Sequence, residues 1–187
     1  MNWNEYFIDM AELISTKSKD NSTKVGCVIV GQDNGVLSTG FNGFPRGVTE
    51  TEEEWVKKVS YWDQGELVKP VPGSFDRWGR PQKYSWVEHA ERNAVYYAAR
   101  HGIALNGAKA YLNWDPRPCA DCTRAFIQAG IVEIIGPNIP FTGKGSGVNY
   151  SLEYADIMCK EAGVKMTPVE YNPKKTKGCK CTTCVCK

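Results

Sequence analysis

Val87-Glu88-His89-Ala90-Glu91 opens, and Pro118-Cys119-Ala120-Asp121-Cys122 closes, the stretch from which the rest of the chain can be read. Between the two motifs, apolar periodicity predicts a helix over 88–100 and a strand over 108–114. That strand leads directly into a second helix over 120–129, and a further strand follows over 131–135. Strand, helix, strand in this order predicts a mixed α/β sheet with helices on both faces.

The residue types at its two ends belong to a metal site. One imidazole and two thiolates can hold zinc tetrahedrally while a fourth position stays open for a water that the metal activates. Cys119 and Cys122 are three apart and so point the same way from a helix, and Pro118 suits a chain entering it. Thiolates near a helix N-terminus are favoured by the exposed N–H groups. His89 and Glu91 are two apart, so they border a shared cavity only from adjacent sides of a first turn. Glu91 would not be a ligand; it would move protons. A structural zinc normally wants four protein ligands, whereas this part of the chain offers three. The whole pattern is that of a zinc-dependent base deaminase.

Composition narrows the class. At 187 residues, 42% hydrophobic and 24% charged, the chain fits one soluble globular domain. No run reaches membrane-span length and Met1-Asn2-Trp3-Asn4-Glu5 has no signal-peptide character, so a reducing cytoplasm is expected, where eight cysteines suggest metal chemistry before disulfides. Net charge is +2, but five lysines and no acids lie in 173–187, leaving the rest with 18 basic and 21 acidic residues. That body argues against a grip on polymeric nucleic acid, which depends on neutralising many phosphates. It suits a small phosphorylated substrate. The expected organisation is a catalytic domain over 1–172 with an insertion over 48–87, then a basic cysteine-rich tail over 173–187.

In chain order, a first helix is expected over 5–16, capped by Asn4, with Tyr6, Met10, Leu13 and Ile14 as its apolar face and Phe7 beside them. The stretches 25–30 and 36–41 read as a hairpin, both strands lying inside the sheet, with Cys27 a buried small residue. Asn42 before Gly43 reads as a turn former or as an amide pointing into a pocket. The insertion predicts a short helix ending at Val59; Trp55, Trp62, Trp78 and Trp86 argue for packing on the body or on another subunit ahead of a lid. Arg100 reads as a last-turn arginine or a phosphate anchor, Tyr97 as a core or interface residue, and His101 as a cap or surface residue in preference to a metal ligand. Residues 150–161 read as a last helix and 164–169 as a closing strand. The loop 141–147 lacks the ending of a phosphate-binding loop, which excludes nucleotide hydrolysis. In the tail, Cys179, Cys181, Cys184 and Cys186 form a candidate second zinc site, the alternative being a tail without fixed structure.

Ser18-Lys19-Asp20, Lys24-Val25-Gly26-Cys27-Val28-Ile29-Val30, Gly40-Phe41-Asn42-Gly43-Phe44-Pro45, His89-Ala90-Glu91-Arg92-Asn93-Ala94 and Pro118-Cys119-Ala120-Asp121-Cys122 closely resemble the deoxycytidylate deaminases of the cytidine deaminase superfamily. The resemblance covers about residues 6–169, with 48–87 as an insertion of the expected sort. It implies a cytidine deaminase-like three-layer α/β/α sandwich around a central mixed five-stranded sheet. It implies hydrolysis of dCMP to dUMP and ammonia, with zinc held by His89, Cys119 and Cys122, and Glu91 shuttling protons. It makes Asn42 a contact of the deoxyribose 3′-hydroxyl, Arg100 a candidate for the 5′-phosphate, Tyr97 a pocket wall, and Ala90 and Trp114 further substrate contacts. It also implies a homo-oligomer, a hexamer in many relatives, with dCTP and dTTP as effectors and dUMP supplied for thymidylate synthesis.

There are departures. About two extra residues lie between the strand and Cys119, so Trp114, Asp115 and Arg117 reshape the pocket rim and leave room for modified cytosines. The turn near the asparagine loop reads Pro45-Arg46-Gly47-Val48 in place of a glycine pair. The insertion lacks cysteine and histidine, so no second zinc is expected in it. Competing readings are deamination of dCTP, 5-methyl-dCMP or cytidine, and a non-enzymatic zinc-binding module centred on the tail, which would leave Glu91 unexplained.

Overall fold

The computed structural model describes residues 1–63, 66–68, 77–79, 81–139 and 151–171. The loop 141–147 and the cysteines of the tail lie outside them. Among the described residues, no helix is long and apolar enough to cross a membrane.

The chain begins with helix α1, Trp3–Ser15. Its N-cap is Asn2 and not Asn4: Asn2 Oδ1 accepts from the Glu5 N–H at 2.9 Å and the Glu5 carboxylate returns to the Asn2 N–H. This reciprocal capping box satisfies two first-turn donors at once, which moves the helix start two residues ahead of the expected one. The buried face also differs from expectation. Phe7, Ile8, Ala11 and Ser15 face inward, while Tyr6 and Leu13 are exposed.

Strands β1 (Gly26–Val30) and β2 (Val36–Phe41) form the expected antiparallel hairpin. Every residue of β1 is buried, Cys27 completely. β2 is not inside the sheet; it is the edge strand, and its ends at Val36 and Phe41 are exposed. In the insertion, α2 (Glu52–Val59) is capped by Thr51, whose hydroxyl accepts from the Glu54 N–H. A small antiparallel pair, β3 (Tyr61–Asp63) and β4 (Glu66–Val68), and a single-turn helix α3 (Lys83–Trp86) follow. The insertion packs on the body as expected. The Trp78 ring stacks on Phe44 at 4.3 Å, Trp78 Nε1 donates to the Glu50 carbonyl, and the Arg77 guanidinium lies 4.1 Å over the Trp86 ring.

Helix α4 (Ala90–Arg100) is followed by β5 (Lys109–Leu112), α5 (Ala120–Ala129), β6 (Glu133–Pro137), α6 (Leu152–Ala162) and β7 (Lys165–Val169). The five-stranded sheet runs β2-β1-β5-β6-β7, antiparallel across its first two pairs and parallel across its last two. α1 covers one face with Phe7, Ile8 and Ala11 against Val28, Val30, Tyr111 and Ile135. The other face carries Ala90, Ala94 and Ala98 of α4 and Phe126 of α5 against Cys27, Ile29, Ala110 and Ile134. The result is the expected three-layer mixed sheet.

α4 lies very close to the sheet because both sides supply small residues. A Cβ on Gly40 of β2 would stand 2.2 Å from the Ala90 carbonyl oxygen and 2.5 Å from the Ala94 nitrogen. Only glycine fits there. α4 starts at Ala90, two residues later than expected, because Glu88 is held in a β-bridge with Gly43 and cannot take helical backbone angles.

Candidate active site

Two helix N-termini meet at the site. His89 is the N-cap of α4 and Cys119 the N-cap of α5, with Cys122 one turn further along. Among the described residues, these three form the cluster of metal-capable side chains, their ligand atoms all within 4.8 Å of one another. His89 Nδ1 lies 3.5 Å from Cys119 Sγ and 3.4 Å from Cys122 Sγ. A tetrahedral zinc bonded at its usual lengths holds nitrogen and sulfur ligands about 3.5 Å apart. The donor set and these two separations therefore fit zinc, bound through Nδ1.

The electrostatics suit the same task. The hydrogen bond from Cys122, aided by His89, holds the Cys119 thiol down at about 4. Cys122 moves the other way, pushed up by the bond to Cys119 and by burial. Burial alone would lower the His89 imidazole, but the Cys119 bond and the Glu91 charge outweigh it and raise it to about 9. Glu91, in the first turn of α4, is only 7% exposed, and burial pushes its carboxyl above the usual range.

Arg92 was not singled out in the sequence. Its guanidinium pairs with Glu88, just ahead of α4, and reaches Asp121 in the first turn of α5 at 3.3 Å. It ties the two ligand-bearing N-termini together. The signal available in advance was the spacing of Glu88 and Arg92, four residues apart.

Asn42 is 7% exposed and heavily bonded. Its Oδ1 accepts from the Val25 N–H at 2.8 Å, and its Nδ2 donates to the Thr23 carbonyl at 2.9 Å and to Asp20 Oδ2 at 3.3 Å. Ala90 is wholly buried. Trp114 is half-buried where β5 gives way to the loop before Cys119; in that loop Arg117 closes on Asp115 through its backbone N–H, Nε and a terminal nitrogen. Tyr97 and Arg100 are not among the residues clustered at the metal-capable side chains. Arg100 is nine residues beyond Glu91, about 14 Å along the helix and about half a turn round it. Tyr97 is exposed and stacks on His101 at 4.2 Å. His101 is the C-cap of α4, its ring bonded to the Tyr97 carbonyl at 2.8 Å.

Residues 1–136 match the family described as the cytidine and deoxycytidylate deaminase zinc-binding region. The chain is 35% identical over 146 residues to the deoxycytidylate deaminase of Enterobacteria phage T4, covering 68% of this chain and 74% of that one. It is 31% identical over 135 residues to a probable deoxycytidylate deaminase of Drosophila melanogaster, covering 72% of this chain but only 59% of that protein's length. Its fold resembles the crystal structure of the dCMP deaminase of cyanophage S-TIM5 in complex with dCMP and dUMP, with a TM-score of 0.57 and 24% identity over 88% of this chain and 95% of that one.

Proposed function

The chain belongs to the deoxycytidylate deaminase family of the cytidine deaminase superfamily, and from that membership we propose that it hydrolyses dCMP to dUMP and ammonia. The observation that carries this reading is His89 Nδ1 lying 3.5 and 3.4 Å from two thiols, with a buried carboxylate two residues further on. Zinc bound there supplies Lewis-acid activation of a water molecule. Glu91 takes a proton from that water, gives it to N3 of cytosine, and carries the second proton to the departing amino group. The C4–O bond forms and the C4–N bond breaks. A carboxyl raised by burial is suited to both taking and returning a proton.

For the substrate, we assign the Asn42 oxygen to the sugar hydroxyl, the first-turn N–H of Ala90 to the base, and Trp114 to the pocket rim. Tyr97 and Arg100 stand further along α4 than Glu91, on the side we assign to the substrate phosphate, and we assign a homo-oligomer, a hexamer in this reading, with dCTP and dTTP as effectors. Residues 1–172 form the catalytic domain and 173–187 an appended tail.

The test is ammonia release by the zinc-loaded full chain from dCMP, CMP, dCTP, deoxycytidine and 5-methyl-dCMP, with and without dCTP or dTTP. Preference for dCMP is expected. Turnover of deoxycytidine in its place would remove the phosphate role of Arg100. No turnover on any substrate, with one zinc still bound per chain, would favour the metal-binding module.

A further inference from the structure

A buried charged cluster beside the site takes no part in the deamination chemistry. Lys83, in α3 of the insertion, is 6% exposed, and Asp20, ahead of β1, is 4% exposed. Lys83 Nζ donates to Asp20 Oδ2 at 2.8 Å and to Ser22 Oγ at 2.5 Å, although Lys83 and Asp20 are 63 residues apart. Taking two charges out of water is costly, and apolar residues of the same volume often stabilise a fold equally well. Stability alone is therefore a weak reason for a lysine to occupy this position.

The next group in the cluster is Asn42. The Asp20 oxygen that takes Lys83 also accepts from Asn42 Nδ2 at 3.3 Å. The amide donates in addition to the Thr23 carbonyl, and its oxygen accepts from the Val25 N–H. Exchanging the two ends of the amide would break all three bonds. Oδ1 keeps one acceptor lone pair, and the bridge between Gly43 and Glu88 sets Asn42 opposite His89.

We propose that Lys83 is a positioning residue: through Asp20 it fixes the Asn42 amide with its oxygen turned to a hydroxyl donor of the substrate's sugar. The insertion thereby sets how strongly the sugar is held. This rests on the reading of Asn42 as a sugar contact. Lys83 itself stays off the substrate, its ammonium taken up by Asp20 and Ser22.

The experiment compares dCMP with 2′,3′-dideoxycytidine 5′-monophosphate, which lacks the 3′-hydroxyl. It uses the zinc-loaded full chain carrying Lys83→Met, Lys83→Arg, or Asp20→Asn together with Lys83→Met, which removes both buried charges at once. Wild type should prefer dCMP by about tenfold or more in kcat/KM, the net worth of one hydrogen bond to a substrate hydroxyl. Lys83→Met should shrink that preference to about twofold by raising KM for dCMP, with kcat and the analogue's kcat/KM changed by less than about twofold. Lys83→Arg should restore most of the preference, and the double variant should show the reduced one. Equal proportional losses on both substrates, or a wild-type preference in the double variant, would make Lys83 a structural ion pair and end the proposal. A loss confined to phosphorylated substrates, with deoxycytidine unaffected, would place Lys83 on the phosphate and end it also. If wild type turns over dCMP and the analogue equally, the assignment of Asn42 fails first and the proposal goes with it.

Discussion

Asn42 stands directly across a backbone bridge from His89. Gly43 and Glu88 exchange both of their hydrogen bonds, at 3.0 and 2.8 Å. In such an antiparallel pair the residue before one faces the residue after the other. The turn that leaves β2 and the N-cap of α4 are therefore tied together by two backbone hydrogen bonds.

Gly43→Pro removes the N–H that the Glu88 carbonyl accepts. It should cost about 1–3 kcal/mol and raise KM for dCMP. Gly43→Ala is the control, since its Cβ would meet only the Phe41 ring at an ordinary 3.7 Å; its stability should stay within about 0.5 kcal/mol of wild type. Urea melts and steady-state kinetics on both variants check this. Equal losses in the two would mean that the bridge does not set the site.

Glu91→Gln keeps the shape of the side chain and removes its capacity to exchange protons. Turnover should fall by about 100-fold or more, while metal analysis still finds one zinc per chain, because Glu91 is not among the clustered ligand atoms. Residual activity above a few per cent, with full metal content, would take the proton shuttle away from this residue.

The elements bearing the ligands are readable in the chain, and those read correctly have strong local signals. α5 runs over Ala120–Ala129 as expected, since Pro118 marks its entry and Gly130, in the left-handed conformation, its end. The compact packing of α4 follows from Ala90, Ala94 and Ala98. The face of α1 is not readable in the same way. Tyr6, Phe7, Ile8, Met10, Ala11, Leu13 and Ile14 put apolar groups on most sides of it, so periodicity offers no single stripe, and the sheet makes the choice. The edge position of β2 is equally non-local. Val36, Leu37 and Phe41 look like residues of an interior strand until the strand order is known. The Lys83–Asp20 pair joins segments 63 residues apart, and no local pattern announces it.

Arg92 joins Glu88 to Asp121 and carries a positive charge beside the thiols. Arg92→Leu should leave the fold intact but loosen the two N-termini relative to each other. Supporting groups of this kind are worth about 10–100-fold in metal affinity, so competition against a chromophoric zinc chelator should show a weaker site of that order. An unchanged affinity would reduce Arg92 to a surface ion pair.

Glu133 offers a pH test independent of the active site. In the register Lys109–Glu133–Lys165 across β5, β6 and β7, its carboxylate takes Lys109 Nζ at 2.9 Å, Lys165 Nζ at 3.1 Å and the Thr167 hydroxyl at 2.7 Å. Burial works against its ionisation, but the bonds from Thr167, Lys109 and Lys165 outweigh it and hold the carboxyl down at about 2. A depressed carboxyl contributes stability above its unfolded value of about 4.3 and loses it as pH falls through the folded value. The two lysines are 43% and 70% exposed, so solvent screening reduces the contribution to about 1–2 kcal/mol. Glu133→Gln should be less stable than wild type by that amount at pH 7, and the gap should close between about pH 4.3 and pH 2. Urea melts at stepped pH measure it directly. A gap that stays constant down to the lowest pH would mean that Glu133 acts by its shape and hydrogen bonds, and not by its charge.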